Sequence, residues 1–237
     1  MSYPFLTGLA RLLTRILLGS KFHLSGTANV PRSGPLLMVS NHVAAVDPAI
    51  IGGWTPRPVW FMAKAELFKG SWAWLMRAYH AFPVVRHSPD RTALRRAFGL
   101  LKGGSAVVLF PEGHRSEDAR LLRAEPGAGF VARRSGAPLV PIAITGTQNV
   151  LRRHSAMLRR ADVAMTFGPP FQLPERNRDG SPMDHQQTAD YLMTKIAELL
   201  PLEYQGEYAS SSAPRPARRP TRVAPEVPDE RLRRNQA

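Results

Sequence analysis

The feature that most constrains this chain is an alternation of short apolar runs with longer, helically spaced stretches. The runs fall at residues 36–39, 59–62, 106–110, 139–144 and 163–167. A run of four to eight apolar residues bounded by glycine or proline reads as a buried strand, and strands buried on both faces belong to sheets covered by helices. The punctuation agrees. Pro35 and Pro58 precede the first two runs, and Gly168-Pro169-Pro170 ends the last. Ser88-Pro89-Asp90 opens a helix, with Ser88 as its cap, that runs to about Lys102 and stops at Gly103-Gly104. Residues 130–134 sit in a helix, and Ser181-Pro182 starts a last one reaching about Leu200. The expected fold is α/β: a single layered domain with a mixed, largely parallel sheet flanked by helices.

The two ends differ from this middle. Over residues 1–20, Phe5, Leu6, Leu9, Leu12, Leu13, Ile16 and Leu17 recur at helical spacing, while Thr7, Gly8, Arg11, Thr14 and Arg15 fall on the other side. Two readings stand. Either this is an interfacial helix with its basic residues toward lipid headgroups, or an amphipathic helix docked on its own core. No stretch reaches the ~18 apolar residues that a bilayer crossing needs, and the N-terminus lacks the charge pattern of a signal peptide. The tail, 206–237, is rich in serine, proline, alanine and arginine. It is expected to be disordered, because it has too little apolar surface to offset the entropy of ordering.

The formal net charge of +14 favours an anionic partner. Nucleic acid is not expected, since no reading module accompanies the charge. The chain has no cysteine, so thiolate nucleophiles, disulfides and cysteine-ligated metals are excluded.

Two constellations carry chemistry. The first is Ser40-Asn41-His42-Val43-Ala44-Ala45-Val46-Asp47-Pro48, directly behind an apolar run. Ligands bind at strand ends of open α/β sheets. His42 is suited to accept a proton near neutral pH, and the turn lets Asp47 fold back to orient it. The competing reading makes Asp47 a helix N-cap before Pro48. No third ligand joins His42 and Asp47 at metal-binding spacing, so no metal is expected. The second constellation is Phe110-Pro111-Glu112-Gly113-His114-Arg115-Ser116. It reads as a tight loop in which Arg115 grips phosphate and Glu112 orients Arg115 or a substrate hydroxyl, or as an ordinary loop with a solvated arginine. Trp54, Trp60, Trp72 and Trp74 are open between an acyl groove or interface patch and core packing.

In this order the blocks resemble the lysophosphatidic acid acyltransferase family, which is marked by Asn-His-x4-Asp and then Phe-Pro-Glu-Gly-Thr-Arg-Ser. Phe61-Met62-Ala63-Lys64-Ala65-Glu66-Leu67, Phe82-Pro83-Val84-Val85-Arg86 and Val140-Pro141-Ile142-Ala143-Ile144 resemble three further family blocks, the last followed by Gly146-Thr147. The resemblance spans about 24–171. It implies a glycerol-3-phosphate acyltransferase-like domain over 21–205, with His42 and Asp47 catalytic and Lys64, Arg86, Glu112, Gly113 and Arg115 binding substrate. It implies no cofactor, acyl-CoA or acyl-carrier protein as donor, and lysophosphatidic acid as acceptor. The product would be phosphatidic acid, made by a peripheral protein on the anionic cytoplasmic face of the cell membrane. Three positions depart from the pattern: His114 stands at a usual Thr, His80 near a usual Gly, and Glu125 where many relatives carry Lys. Glu125 keeps open another acceptor, a lyso-ornithine lipid or a glycolipid; a His/Asp thioester hydrolase is the other alternative.

Overall fold

A computed structural model describes residues 2–85, 90–152, 155, 157–177 and 179–209. Seven strands form one sheet in the order β1-β7-β6-β2-β5-β3-β4: β1 (Phe22–Ser25), β2 (Leu36–Ser40), β3 (Val59–Lys64), β4 (Ala81–Val84), β5 (Ala106–Leu109), β6 (Leu139–Thr145) and β7 (Val163–Phe167). All pairings are parallel except β6 with β7, so β1 and β7 run against the other five. The expected mixed, largely parallel sheet is the one observed. β2 is buried throughout, as a central strand covered on both faces must be.

Alternate residues of the central strands feed two cores. Leu37, Val39 and Val107 pack with α5 (Pro126–Ser135) and α7 (His185–Ala197), while Leu36, Met38 and Val108 pack with α2 (Asp47–Trp54). α4 (Arg91–Lys102) shares the α5 face, with the Phe98 and Phe130 rings 6.0 Å apart. α1 (Tyr3–Leu18) packs on α2, outside the opposite face. The short α3 (Ala73–Ala78) precedes β4, and α6 (Thr147–Val150) follows β6.

Two helix starts differ from the sequence expectation. Asp90 caps α4, its carboxylate accepting from Thr92 N and Ala93 N at 3.0 and 2.9 Å; Ser88 and Pro89 lie outside the described residues. α7 begins at His185 rather than at Ser181-Pro182, because Asp184 and Gln187 form a reciprocal capping box. The boundary at 206 is also corrected. Tyr208 is buried, its hydroxyl donating to Asp190 at 2.7 Å and accepting from Ala124 N at 3.1 Å. The tail from 210 onward lies outside the described residues.

α1 docks through one side and leaves most of its apolar stripe outward. Tyr3, Leu6, Thr7, Thr14 and Leu18 are buried. The Tyr3 hydroxyl accepts from Val59 N at 3.1 Å, and burial raises that phenol to about 12. Thr7 and Thr14 donate to carbonyls of their own helix, which makes their burial affordable. Arg11 donates to Gly53 O at 2.8 Å, and both Arg11 and Arg15 lie over the Trp54 ring. The apolar stripe of Phe5, Leu9, Leu12, Leu13 and Ile16 is left exposed, Ile16 at 71%. The tryptophans divide as well. Trp54 packs on Phe22 and Trp60 on His80, whereas Trp72 and Trp74 are exposed. Among the described residues, no helix is long and apolar enough to cross a membrane.

Candidate active site

The carboxyl ends of β2, β5 and β6 meet at one rim. β2 and β5 are in register from Leu36↔Ala106 to Val39↔Leu109, so the residues that leave them, Asn41-His42 and Pro111-Glu112, emerge side by side. β6 flanks β2 on the other edge, and the Asn41 side chain locks that junction. Its amide donates to Ile144 O and its oxygen accepts from Ile144 N, both at 2.8 Å. After β2 the chain moves toward β3 and β4, and after β5 toward β6 and β7. The rim is therefore a topological switch point, where open α/β sheets form a crevice.

His42 is held on several sides. Its Nδ1 lies 2.8 Å from Asp47 Oδ2. Its backbone N–H donates to Glu112 Oε1 at 3.0 Å, and its carbonyl accepts from Ser116 N at 2.9 Å. Its ring stacks on Phe110 with centroids 4.2 Å apart. The side chain keeps 12% exposure.

Asp47 is completely buried and, contrary to the capping reading, its side chain does not cap α2. The carboxylate turns back instead. Oδ2 accepts from Val43 N and Ala44 N as well as facing the His42 ring, each at 2.8 Å. Oδ1 accepts from the Thr147 hydroxyl at 2.6 Å. A buried carboxylate is tolerated only when its lone pairs are used this fully. With these donors in place, the Asp47 carboxylate can accept a hydrogen bond from His42 Nδ1, an arrangement that can orient the ring.

Thr147 was not among the residues singled out by sequence reasoning, although Gly146-Thr147 was noted behind the β6 block. It lies a hundred residues from Asp47 in the chain, and its only sequence signal is its place just past a strand end. Gly146 sets it there with φ 82, and a Cβ at Gly146 would collide with Asp162 O.

Of the two roles expected of Glu112, the pairing with Arg115 is not the one observed. It is buried and makes no ion pair with Arg115. Its second oxygen accepts from Leu122 N at 3.0 Å, so the carboxyl ties β2 to the loop after β5. Burial, aided by nearby Asp47 and Asp118 and opposed by those two N–H donors, raises Glu112 to about 7. Gly113 makes the turn, with φ 71 and its N–H donating to Phe110 O at 3.0 Å. Arg115 is exposed, with no side-chain partner among the described residues, and His114 is exposed beside it. Lys64 ends β3 on the same rim, one strand beyond β5, with its amine 3.3 Å from Glu66. Arg86 lies outside the described residues. Glu125 is exposed at the start of α5, near Gly113. His80 adopts φ 57, the region that favours glycine, while stacked between Tyr3 and Trp60. Among the described residues, no three His, Asp or Glu side chains cluster as metal ligands.

Comparison with known proteins points the same way. A family model described as Acyltransferase matches residues 21–145. A 1-acyl-sn-glycerol-3-phosphate acyltransferase of Bacillus subtilis is 33% identical over 146 residues, which are 60% of this chain and 70% of that protein. Its counterpart in Streptococcus pneumoniae is 29% identical over 178 residues, 73% of this chain and 64% of that one. The crystal structure of the 1-acyl-sn-glycerophosphate acyltransferase PlsC from Thermotoga maritima superposes with a TM-score of 0.67 at 22% identity, over 83% of this chain and 77% of that chain; this is a likeness of fold.

Proposed function

The chain belongs to the acyltransferase family, and from that membership we propose that it moves a fatty acyl group from a thioester donor to the free hydroxyl of lysophosphatidic acid, yielding phosphatidic acid for phospholipid synthesis. The donor is acyl-CoA or an acyl-carrier protein. The observation that carries this reading is the His42–Asp47 pair at the switch-point rim, with Asp47 buried under donors from two segments, the 42–44 loop and Thr147. The acceptor follows from the names of its relatives.

In the mechanism, the acceptor hydroxyl donates to His42 Nε2. As its oxygen attacks the thioester carbonyl, the proton passes to Nε2, and the buried Asp47 carboxylate stabilises the imidazolium. The tetrahedral intermediate collapses with cleavage of the C–S bond. The thiolate leaves and takes the proton from Nε2, so His42 returns to its starting state. Arg115 and Lys64 hold phosphate from the exposed side of the rim. Glu112 acts through the backbone by fixing His42 against the loop.

The outward stripe of α1 gives the protein its membrane seat. With the helix pinned by Tyr3, Phe5, Leu9, Leu12, Leu13 and Ile16 enter the lipid interface, and the +14 charge adds attraction to anionic headgroups.

The test is acyl transfer to lysophosphatidic acid by wild type and His42→Ala. Wild type should form phosphatidic acid, and His42→Ala should lose that activity while keeping its circular dichroism and melting temperature. Turnover near wild type in His42→Ala would remove the base assignment. Thioester hydrolysis that ignores the acceptor would replace the transferase with a hydrolase.

A further inference from the structure

The α4/α5 surface carries a feature that neither the core nor the active site uses. α4 reads RTALRRAFGLLK, with no acidic residue. Arg91, Arg95 and Lys102 line its exposed side, and Arg134 of α5 faces them across a groove of about 490 Å³. The floor is apolar, built from Leu94, Phe98 and Phe130. None of the four cations has an ion-pair or hydrogen-bond partner among the described residues. Like charges one helical turn apart, as Arg91 and Arg95 are, destabilise an isolated helix.

Gly99 is the second observation. It lies inside α4, is exposed, and borders the grooves on both sides of the helix. A Cβ there would meet nothing within 4 Å, so internal packing does not demand glycine. A glycine in an exposed helix interior lowers helix stability relative to alanine. Its local effect is to leave the helix backbone open to close approach from outside.

We propose that this groove docks the acyl donor in the form of an acidic carrier protein, which lays an amphipathic helix with a carboxylate rim against Leu94, Phe98, Gly99 and Phe130. The proposal rests on the transferase reading and names which of its two donor classes the chain receives. Charge complementarity selects an acidic partner. The cations extend from Arg91 to Lys102, on the order of 16 Å along the helix, a row that suits a helix laid in the groove. A membrane is the less favoured occupant, since α1 turns its apolar stripe outward on the opposite face of the sheet. The arrangement brings the lipid from one face and the soluble donor from the other, to a rim between them. α4 begins at that rim, because it follows β4 and returns antiparallel to the strands.

The experiment compares the full chain with the double variant Arg95→Glu/Lys102→Glu and with Gly99→Gln. Transfer to lysophosphatidic acid is measured with the same acyl group on purified acyl-carrier protein and on coenzyme A, and carrier binding is measured directly by calorimetric titration. The expected result is a KM for the carrier-borne donor raised at least tenfold in both variants, with kcat and the acyl-CoA kinetics within twofold. Carrier affinity should fall in parallel, and its steep salt dependence in wild type should flatten in the charge variant. A wild type that transfers from acyl-CoA but neither binds nor uses the carrier overturns the docking site and leaves the transferase intact. Equal losses with both donors overturn it too, as does a loss confined to binding of anionic phosphatidylglycerol vesicles, which would assign the patch to the membrane. Carrier binding in a wild type inactive with both donors would sustain the docking surface and sink the transferase reading instead.

Discussion

Replacing Thr147 by valine removes one hydroxyl and keeps the side-chain shape. That hydroxyl donates at 2.6 Å to Oδ1 of an Asp47 that is completely buried. No other described group donates to Oδ1, whereas Oδ2 keeps its bonds to Val43 N, Ala44 N and the His42 ring. A hydrogen bond to a charged group contributes about 1.5–3 kcal/mol, and no solvent reaches Asp47 to replace it. The full loss should appear as about 2 kcal/mol of unfolding free energy in urea titrations. Part of it should reach catalysis, because a carboxylate free on one oxygen can rotate away from Nδ1. A loss of about 1.4 kcal/mol in the transition state is a tenfold fall in kcat. Since Thr147 faces Asp47, KM for either substrate should stay within about twofold. Thr147→Ser keeps the donor and should recover most of kcat. Steady-state kinetics on the three proteins, with denaturation on each, separate the outcomes. Valine at wild-type kcat, or a loss in KM alone, would refute the positioning role. A serine variant as slow as valine would do the same.

Further outcomes follow from the same geometry. Glu112, raised from 4.5 to about 7 mainly by burial, binds its proton more tightly in the folded than in the unfolded chain. Stability should therefore fall as pH rises from about 4.5 to about 7, by up to about 3 kcal/mol, and urea midpoints of Glu112→Gln should change less across that window. Leu12→Glu/Ile16→Glu places charges on the exposed stripe of α1 and should cut sedimentation with anionic vesicles more than tenfold without lowering the melting temperature. Deleting residues 1–18 is the poorer test, since it removes Tyr3 from Val59 and uncovers α2; thermal unfolding should drop by several degrees. Gly146→Ala should reproduce the kcat defect of Thr147→Val, because the collision with Asp162 O displaces the segment that carries the hydroxyl.

Much of the fold was legible because its core strands are buried on both faces, and such strands must be written as unbroken apolar runs. β1 escaped notice because it is an edge strand whose four residues alternate between half-buried and exposed. Sequence periodicity likewise showed that α1 has an apolar face, but it carries no information on where that face points. Only the docking of Tyr3, Thr7 and Thr14 against α2 and β3 turned the apolar stripe outward.

The candidate site divides along the same line. That His42 and Asp47 meet was readable locally, because five residues and a turn suffice to bring a carboxylate back to a ring. That both motifs share one rim, that Glu112 serves the backbone of His42 instead of Arg115, and that Thr147 completes the shell of Asp47 were decided by strand order. β5 and β6 flank β2 although they follow it by more than sixty residues. Sequence alone specified the chemical groups and their local turns. Tertiary structure decided which of those groups reach one another, since parallel pairing between distant segments obeys burial and register and not distance along the chain.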